Sequence, residues 1–321
     1  MPISLISGMR QALTLVVSVT CLLISQASFA AYSQIVSFGD SLSDTGNIFT
    51  STGGAYPAAP YFDGNFSNGD IWIENLASSL GVAAPTASLV GGTNYAWGGA
   101  RTTEAGGAGQ PSAQTQVAQY FAATAGIADP NALYTIMIGG NDVNAYDGVG
   151  YGGAELAADG QVAATLAANL LAAGAQSILI LNVPDVGTAP IADGFEAAVT
   201  GLTSLYNGNL AAALGALGSS NVALVDIFAV TQDIAANPGT YGFTNVDDPC
   251  LDVGAGTLCA NPDDYAFWDE LHPTAAGHQI IADASLSAAL ALQPVPVPAG
   301  LPLMLSALAG LMIAKRKQVA A

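Results

Sequence analysis

Apolar segments that alternate with alanine-rich ones constrain the fold of this chain most strongly. Residues 133–138 (LYTIMI), 177–183 (SILILNV) and 221–227 (NVALVDI) are nearly continuous apolar runs, as expected of parallel strands that are covered on both faces. Between them, residues 154–173 and 191–217 are long Ala- and Leu-rich segments, which we interpret as helices. The alternation predicts an α/β fold in which a parallel sheet lies between helical layers, joined by right-handed crossovers.

The remaining segments complete this pattern. We predict a first strand at 35–38, a Gly- and Pro-rich loop at 48–69, and helices at 70–80, 112–125 and 274–292. The loop contains four aromatic residues, Tyr56, Tyr61, Phe62 and Phe66. They could line a substrate entrance or cover the core, and the sequence leaves both interpretations open.

The first strand ends at Gly39 in a polar turn that contains Asp40, Ser41, Ser43 and Asp44. Ser41 is a candidate nucleophile, although a serine after Gly-Asp also commonly caps a turn or helix. A serine hydroxyl needs a neighbouring base, which is usually a histidine that a carboxylate orients.

The sequence contains two histidines, His272 and His278, and Asp269 lies three residues before His272. Ser41 follows the first strand, Asn141 follows the strand at 133–138, and His272 precedes the last helix. Ligands of open parallel sheets bind at the carboxyl ends of the strands. We therefore expect these three side chains to meet at one edge of the sheet.

Four ordered motifs strengthen this expectation: GDSLSDTGN at 39–47, NYAWGGA at 94–100, IGGND at 138–142 and DELHPT at 269–274. Together they resemble the blocks of the GDSL-type, or SGNH, hydrolase and esterase family, and the resemblance spans residues 33–291. It implies a three-layer α/β/α sandwich of the flavodoxin-like SGNH type with a central parallel sheet. It also implies serine esterase or lipase chemistry without a cofactor.

The resemblance assigns roles to the motif residues. Ser41 would be the nucleophile, His272 the base and Asp269 the carboxylate that orients it. The oxyanion would be held by the backbone N–H groups of Ser41 and Gly99 and by the side-chain amide of Asn141. Gly98 remains an alternative to Gly99, because the motif leaves a one-residue uncertainty.

Other acidic and histidine residues need separate interpretations. Glu270, Asp185 and Asp226 compete with Asp269 for the orienting role, but the family's D-x-x-H spacing selects Asp269. We expect three aspartates to brace loops through backbone N–H groups, and they are Asp40, Asp44 and Asp142. His278 is assigned a structural role in the last helix. His272 and His278 lack a third metal ligand with matching spacing, so no metal site is predicted.

An acidic segment precedes the DELHPT motif. Its carboxylates could hold a calcium ion or form a solvated loop, and they belong to Asp247, Asp248, Asp252, Asp263 and Asp264.

Both ends of the chain predict export. Residues 1–30 contain Arg10, an apolar run at 12–24 and small residues before position 31, the pattern of a secretory signal peptide. Residues 294–321 contain a proline-rich spacer, an apolar segment at 299–314 and a basic tail, and resemble a PEP-CTERM sorting signal. A permanent C-terminal membrane anchor is the alternative.

This organisation leaves residues 31–293 as the hydrolase domain. It also implies processing by signal peptidase and by an exosortase, with release to the surface or extracellular matrix of a Gram-negative bacterium.

Charge and cysteine content define the expected surroundings. Residues 31–298 contain one basic residue, Arg101, and all 24 acidic residues, a formal net charge of −23. Such a surface repels phosphate backbones, which excludes nucleic-acid binding. Cys21 lies in the predicted signal, so Cys250 and Cys259 are expected to form a disulfide worth about 2 to 3 kcal/mol in the chain-entropy model.

The sequence therefore predicts a secreted, monomeric serine esterase or lipase that cleaves a small-molecule, lipid or carbohydrate ester. The absence of a G-x-S-x-G motif argues against an ordinary α/β-hydrolase. No lysine occurs in residues 31–298, which excludes a P-loop or a Ser-Lys pair there. A carbohydrate O-deacetylase or an acyltransferase would use the same site. A non-catalytic matrix-binding protein on the same scaffold is the alternative from another class.

Overall fold

A parallel sheet forms the centre of the fold. The computed structural model describes residues 32–293 except 105 and 108, and within them the sheet has four strands in the order β1-β2-β3-β4. The strands are β1 Ile35–Gly39, β2 Leu133–Met137, β3 Ser177–Leu181 and β4 Val222–Val225. All neighbouring pairs are parallel, which confirms the predicted strand runs and their direction.

An extended segment at residues 93–97 lies along the free edge of β1. Ser37 N–H donates to Thr93 O at 3.1 Å, Tyr95 N–H donates to Ser37 O at 2.7 Å, and Trp97 N–H donates to Gly39 O at 3.1 Å. If this segment is counted as a strand and all five are numbered by their order in the chain, the order across the sheet is 2-1-3-4-5. That is the flavodoxin-like order, whose reversal point lies at the carboxyl ends of β1 and β2.

Helices cover both faces of the sheet. The described part of the chain contains α1 Asn47–Ser51, α2 Trp72–Leu80, α3 Ala113–Ala123, α4 Gly140–Asn144, α5 Gly153–Ala172, α6 Glu196–Leu217, α7 Ile227–Ala236 and α8 Ala275–Leu292. Helices α3, α5 and α6 pack on one face through a core that includes Tyr134, Ile136 and Ile180. Helices α2 and α8 pack on the other face against Leu133 and Leu179. The predicted three-layer α/β/α sandwich is thus confirmed.

Three element boundaries differ from the sequence prediction. The helix expected at 191–217 begins at Glu196, because Pro190 opens a short 3-10 turn before it. The strand expected at 221–227 ends at Val225, because the Asp226 carboxylate accepts the Ala229 N–H and caps α7, which was not predicted. The predicted loop at 48–69 overlaps the short helix α1.

A small hairpin precedes the last helix. Strands β5 Leu251–Asp252 and β6 Thr257–Leu258 are antiparallel, and the predicted disulfide between Cys250 and Cys259 closes the hairpin. Its backbone is joined to the following segment, where Leu251 N–H donates to Trp268 O at 2.6 Å.

The predicted signal peptide at 1–30 and the predicted sorting signal at 294–321 lie outside the described residues. Within the described ranges, no helix combines the length and apolar character needed to cross a membrane.

Candidate active site

The nucleophile turn begins where β1 ends. Ser41 is 6% exposed and lies directly after the strand. The Asp40 carboxylate accepts the Leu42 N–H at 3.0 Å, and Ser43 N–H donates to Asp40 O at 3.0 Å. These bonds close a tight turn, which leaves the Ser41 side chain at the edge of the sheet.

Asp44 ties this turn to the NYAWGGA segment. Its fully buried carboxylate accepts backbone N–H groups from Gly46 at 2.9 Å, Asn47 at 2.6 Å and Ile48 at 3.2 Å. It also accepts the Gly98 N–H at 2.8 Å. Asp44 therefore braces the nucleophile turn, as the sequence predicted, and also the NYAWGGA segment.

His272 joins the nucleophile to a carboxylate. His272 Nε2 lies 2.8 Å from Ser41 Oγ, and His272 Nδ1 lies 2.7 Å from Asp269 Oδ2. The other carboxylate oxygen, Asp269 Oδ1, accepts the backbone N–H groups of Leu271 at 2.8 Å and His272 at 2.7 Å. The three residues form one continuous hydrogen-bonded line in which a carboxylate fixes the imidazole toward the serine.

The Asp269 carboxylate is ionised in this arrangement. Burial by itself would raise its pKa, but the hydrogen bond and charge of His272 and the hydroxyl of Tyr61 outweigh burial and lower the pKa to about 2. The carboxylate is thus a stable negative partner for an imidazolium across the neutral pH range.

The competing carboxylates lie elsewhere. Glu270 is exposed, Asp185 accepts the Gly187 N–H and the Thr200 hydroxyl, and Asp226 caps α7. His278 is fully buried in α8, where its Nδ1 accepts the Trp72 N–H at 3.3 Å. Burial and the nearby His272 lower the pKa of His278 to about 3, so it stays neutral.

The predicted oxyanion donors face the same cleft as Ser41 and His272. Gly99 and Asn141 both line it, and the Asn141 amide now donates to Ala100 O at 2.9 Å. Gly99 has a φ of +76°, a backbone conformation that favours glycine. The Gly98 N–H is already bonded to Asp44, which favours Gly99 as the donor. These two roles stay predictions.

Asn141 is positioned by a buried polar network. The neighbouring Asp142 carboxylate accepts the Thr102 N–H at 3.0 Å and the Thr102 hydroxyl at 2.9 Å. Arg101 Nε lies 3.4 Å from Asp142 Oδ1. Burial, together with the charge of Asp159, raises the pKa of Asp142 to about 7. The network fixes residues 100–102 against α4, and hence both oxyanion candidates.

Two cavities meet at Ser41. The first is an open cleft of about 590 Å³ whose walls also carry polar and aromatic side chains, among them Ser51, Thr52, Tyr56, Phe66, Trp97 and Gln110. The second is a narrow pocket of about 60 Å³ with mainly apolar walls, among them Leu42, Ile138, Val183, Val186, Ala189 and Phe267. Ser41, Asn141 and His272 line both, so the three groups lie between two chemically different spaces.

Sequence reasoning missed two contacts at this site. The buried Gln116 amide accepts the Gly39 N–H and donates to Gly39 O, both at 2.9 Å, and so fixes the end of β1. The Tyr61 hydroxyl donates to Asp269 Oδ2 at 2.6 Å. Of the loop aromatics, Tyr56 and Phe66 line the open cleft and Phe62 is largely exposed. For Tyr61, the only signal in the sequence was the aromatic composition of the loop at 48–69.

No cluster of three or more His, Cys, Asp or Glu side chains that could hold a metal ion occurs among residues 32–104, 106, 107 and 109–293.

The sequence matches that of known proteins over most of its length. The model of the GDSL-like Lipase/Acylhydrolase family matches residues 35–285. The thermolabile hemolysin of Vibrio parahaemolyticus serotype O3:K6 is 31% identical over 283 residues, which cover 79% of this chain and 63% of the hemolysin. The phosphatidylcholine-sterol acyltransferase of Aeromonas hydrophila is 27% identical over 311 residues, which cover 79% of this chain and 89% of the acyltransferase.

The fold also resembles a solved structure, LAE5, described as an alpha/beta hydrolase enzyme from the metagenome of Lake Arreo, Spain. The match has a TM-score of 0.48 at 18% identity and covers 84% of this chain and 100% of that one.

Proposed function

The chain belongs to the GDSL-like lipase/acylhydrolase family, and we propose that it hydrolyses carboxylic esters through an acyl-enzyme on Ser41. The observation that carries this proposal is the hydrogen-bonded line from Ser41 through both ring nitrogens of His272 to Asp269. A serine hydroxyl is a weak nucleophile unless an oriented base takes its proton. The line provides that base within hydrogen-bond reach.

The proposed reaction has two halves. His272 Nε2 takes the hydroxyl proton as Ser41 Oγ bonds to the ester carbonyl carbon, and Asp269 stabilises the imidazolium. The oxyanion accepts hydrogen bonds from the Ser41 and Gly99 N–H groups and from the Asn141 amide, which leaves Ala100 O. The imidazolium then protonates the departing alkoxide as the C–O bond breaks. In the second half, water gives a proton to His272 and bonds to the acyl carbon. The bond from that carbon to Ser41 Oγ then breaks, His272 returns the proton to Ser41, and the free acid leaves.

The two cavities suggest how an ester lies across Ser41. We propose that the acyl chain enters the narrow apolar pocket and that the alcohol lies in the open cleft. Burying a hydrocarbon chain between Leu42, Val183 and Phe267 is favourable at about 0.8 kcal/mol per methylene. The open cleft offers the polar side chains of Thr52 and Gln110, which suit an alcohol that carries hydroxyl groups. The substrate class is therefore an uncharged ester with an apolar acyl chain.

Hydrolysis of a series of p-nitrophenyl esters by the purified protein, beside Ser41→Ala, tests this proposal. We expect activity that rises and then falls with acyl length, and that disappears in the variant. A serine-directed phosphonate should label the wild type and not the variant. Activity that survives in Ser41→Ala would refute the serine mechanism. A folded wild type that neither cleaves esters nor reacts with the phosphonate would instead favour the non-catalytic matrix-binding alternative.

Acyl transfer is the second candidate. It is favoured by the similarity to a protein named phosphatidylcholine-sterol acyltransferase over 89% of that protein's length. The same acyl-enzyme would react with an alcohol instead of water. Product analysis in the presence of a competing alcohol separates the two reactions, because transfer yields a new ester while hydrolysis yields only the free acid.

For localisation, we propose that residues 1–30 direct export and that residues 294–321 direct sorting to the cell surface or matrix. The disulfide between Cys250 and Cys259 supports an oxidising compartment. Fractionation of a producing bacterium tests this proposal. Full-length chain confined to the cytoplasm, with residues 1–30 still attached, would refute it.

A further inference from the structure

Tyr61 makes a contact with the proposed triad that neither the motifs nor the family match assigns. Its hydroxyl donates to Asp269 Oδ2 at 2.6 Å, and the same oxygen lies 2.7 Å from His272 Nδ1. The two residues are 208 positions apart in the chain, so the contact arises only from tertiary structure. With the two backbone donors on Oδ1, Tyr61 completes a set of four hydrogen-bond donors around this carboxylate.

The Tyr61 ring is held in place by aromatic neighbours. It packs edge-to-face against Trp268 at 6.2 Å and against Phe66 at 6.3 Å between ring centroids. Trp268 is 2% exposed and directly precedes Asp269, while the Phe66 ring lies 5.2 Å from the His272 ring. The Tyr61 ring is thus packed against Trp268, which directly precedes Asp269, and against Phe66, which lies beside the His272 ring.

This cluster also receives support from the disulfide hairpin. Tyr61 packs with Cys250, Leu251 and Trp268 in one apolar cluster. The hydrogen bond from Leu251 N–H to Trp268 O joins the hairpin to the residue before Asp269. The loop that contains Tyr61 is therefore packed against the same segment that presents the carboxylate.

A hydrogen bond to a carboxylate oxygen affects both geometry and charge. It fixes the plane of the carboxylate, and it withdraws negative charge from the oxygen that faces His272. Without it, Oδ2 would keep a single donor, His272 Nδ1, while the two backbone N–H groups would still hold Oδ1. The carboxylate plane would then be less tightly fixed, and so would the imidazole that it orients toward Ser41.

We propose that Tyr61 is a positioning residue, which acts through Asp269 to hold His272 in line with Ser41 and to set how strongly that carboxylate retains the imidazolium. This inference rests on the proposed function, because it assumes that Ser41 and His272 perform ester cleavage. It adds a side chain from the loop at 48–69 to the four on which the proposed reaction already depends, Ser41, His272, Asp269 and Asn141.

Tyr61→Phe tests the proposal because it keeps the ring and removes only the hydroxyl. We expect kcat to fall about 10-fold with little change in KM, since a hydrogen bond to a charged group is lost while the cleft is untouched. Because removal of the hydroxyl leaves more negative charge on Asp269 Oδ2, the acid limb of the kcat/KM profile should move to higher pH.

The other titratable groups that face this site do not change between the two proteins. They are Asp40 from the nucleophile turn, His278 from α8 and Tyr56 from the loop at 48–69. Burial raises the pKa of Asp40 to about 6, so Asp40 contributes to the same limb in both proteins. The difference between the two profiles therefore isolates the Tyr61 hydroxyl.

Tyr241→Phe is the matched control, because the Tyr241 hydroxyl also donates to a carboxylate, that of exposed Asp233. It should change neither kcat nor the acid limb. An independent readout is the low-field proton resonance of the His272 Nδ1–H, which should shift in Tyr61→Phe even if no substrate is known.

The outcomes separate the two proposals. If Tyr61→Phe leaves kcat, the acid limb and the resonance unchanged while Ser41→Ala abolishes activity, the positioning role is refuted and the proposed function stands. If the wild type itself is inactive but the resonance shifts, the proposed function fails, while the contact between Tyr61 and the carboxylate is still supported.

Discussion

Replacing Asp40 by Asn should stabilise the protein at neutral pH, although Asp40 lies beside the nucleophile. Burial raises the pKa of this carboxyl from 3.8 to about 6, against the Leu42 N–H and the charge of His272, and the residue is 3% exposed. Because the folded pKa lies above the unfolded one, the folded protein binds more protons between these values. The free energy of unfolding therefore falls as pH rises through this window.

The magnitude follows from the size of the shift. At about 1.36 kcal/mol per pKa unit, the ionised carboxylate costs about 3 kcal/mol above pH 6. The Asn carbonyl oxygen still accepts the Leu42 N–H, so the variant avoids this cost without losing the turn. Urea unfolding of both proteins at about pH 4 and about pH 8 should give a difference that grows by up to about 3 kcal/mol in favour of the variant.

Asp129→Asn is a matched control of opposite sign. Its pKa is lowered, because hydrogen bonds from Asn131, Ser33 and Gln34 outweigh the desolvation. Its contribution to stability is present above the unfolded pKa and is lost as pH falls through the folded one, so this variant should be less stable at neutral pH. A difference between Asp40→Asn and wild type that is flat across the pH range would refute the assignment of a buried, costly charge to Asp40.

Two further predictions concern the proposed reaction. Asn141→Ala should lower kcat about 100-fold to 1000-fold with little effect on KM, because it removes one of three oxyanion donors; steady-state kinetics on a short aryl ester measure this, and an unchanged kcat would exclude Asn141 from the oxyanion site. Ala189→Phe fills the narrow apolar pocket beside Ser41, so it should lower kcat/KM for butyrate esters at least about 10-fold more than for acetate esters. An equal loss across chain lengths would place the acyl chain in the open cleft instead.

The fold could be predicted from the sequence to the extent that burial leaves a pattern. The runs at 133–138 and 177–183 are apolar because helices cover both faces of the sheet, and they form β2 and β3 within a residue or two. The end of the strand predicted at 221–227 was wrong, because the apolar run continues without a break from β4 into α7. Only the capping by Asp226 marks the boundary between the two elements. A short apolar run does not by itself distinguish a strand end from the first turn of a helix.

The candidate site could be predicted because Ser41 and Asn141 directly follow strands of the sheet, while His272 lies in the loop just before the last helix. Ser41, Asn141 and His272 were expected at one edge, and the structure brings them to one cleft. Tyr61 and Gln116 could not be predicted, because their partners Asp269 and Gly39 are 208 and 77 positions away. Neither contact leaves any local periodicity, and Gln116 in an amphipathic helix looks like an ordinary surface residue.

The scarcity of basic residues has a consequence for proteolysis. Arg101 is the only lysine or arginine between residues 31 and 298, so trypsin, which cleaves after these residues, finds one bond in that body. The Arg101 side chain is 13% exposed, lies 4.0 Å over the Tyr151 ring and is paired with Asp142. Trypsin would cleave the peptide bond between Arg101 and Thr102, and the Thr102 N–H donates to the Asp142 carboxylate at 3.0 Å. The folded domain should therefore resist trypsin, and after denaturation trypsin should cut residues 31–298 only once.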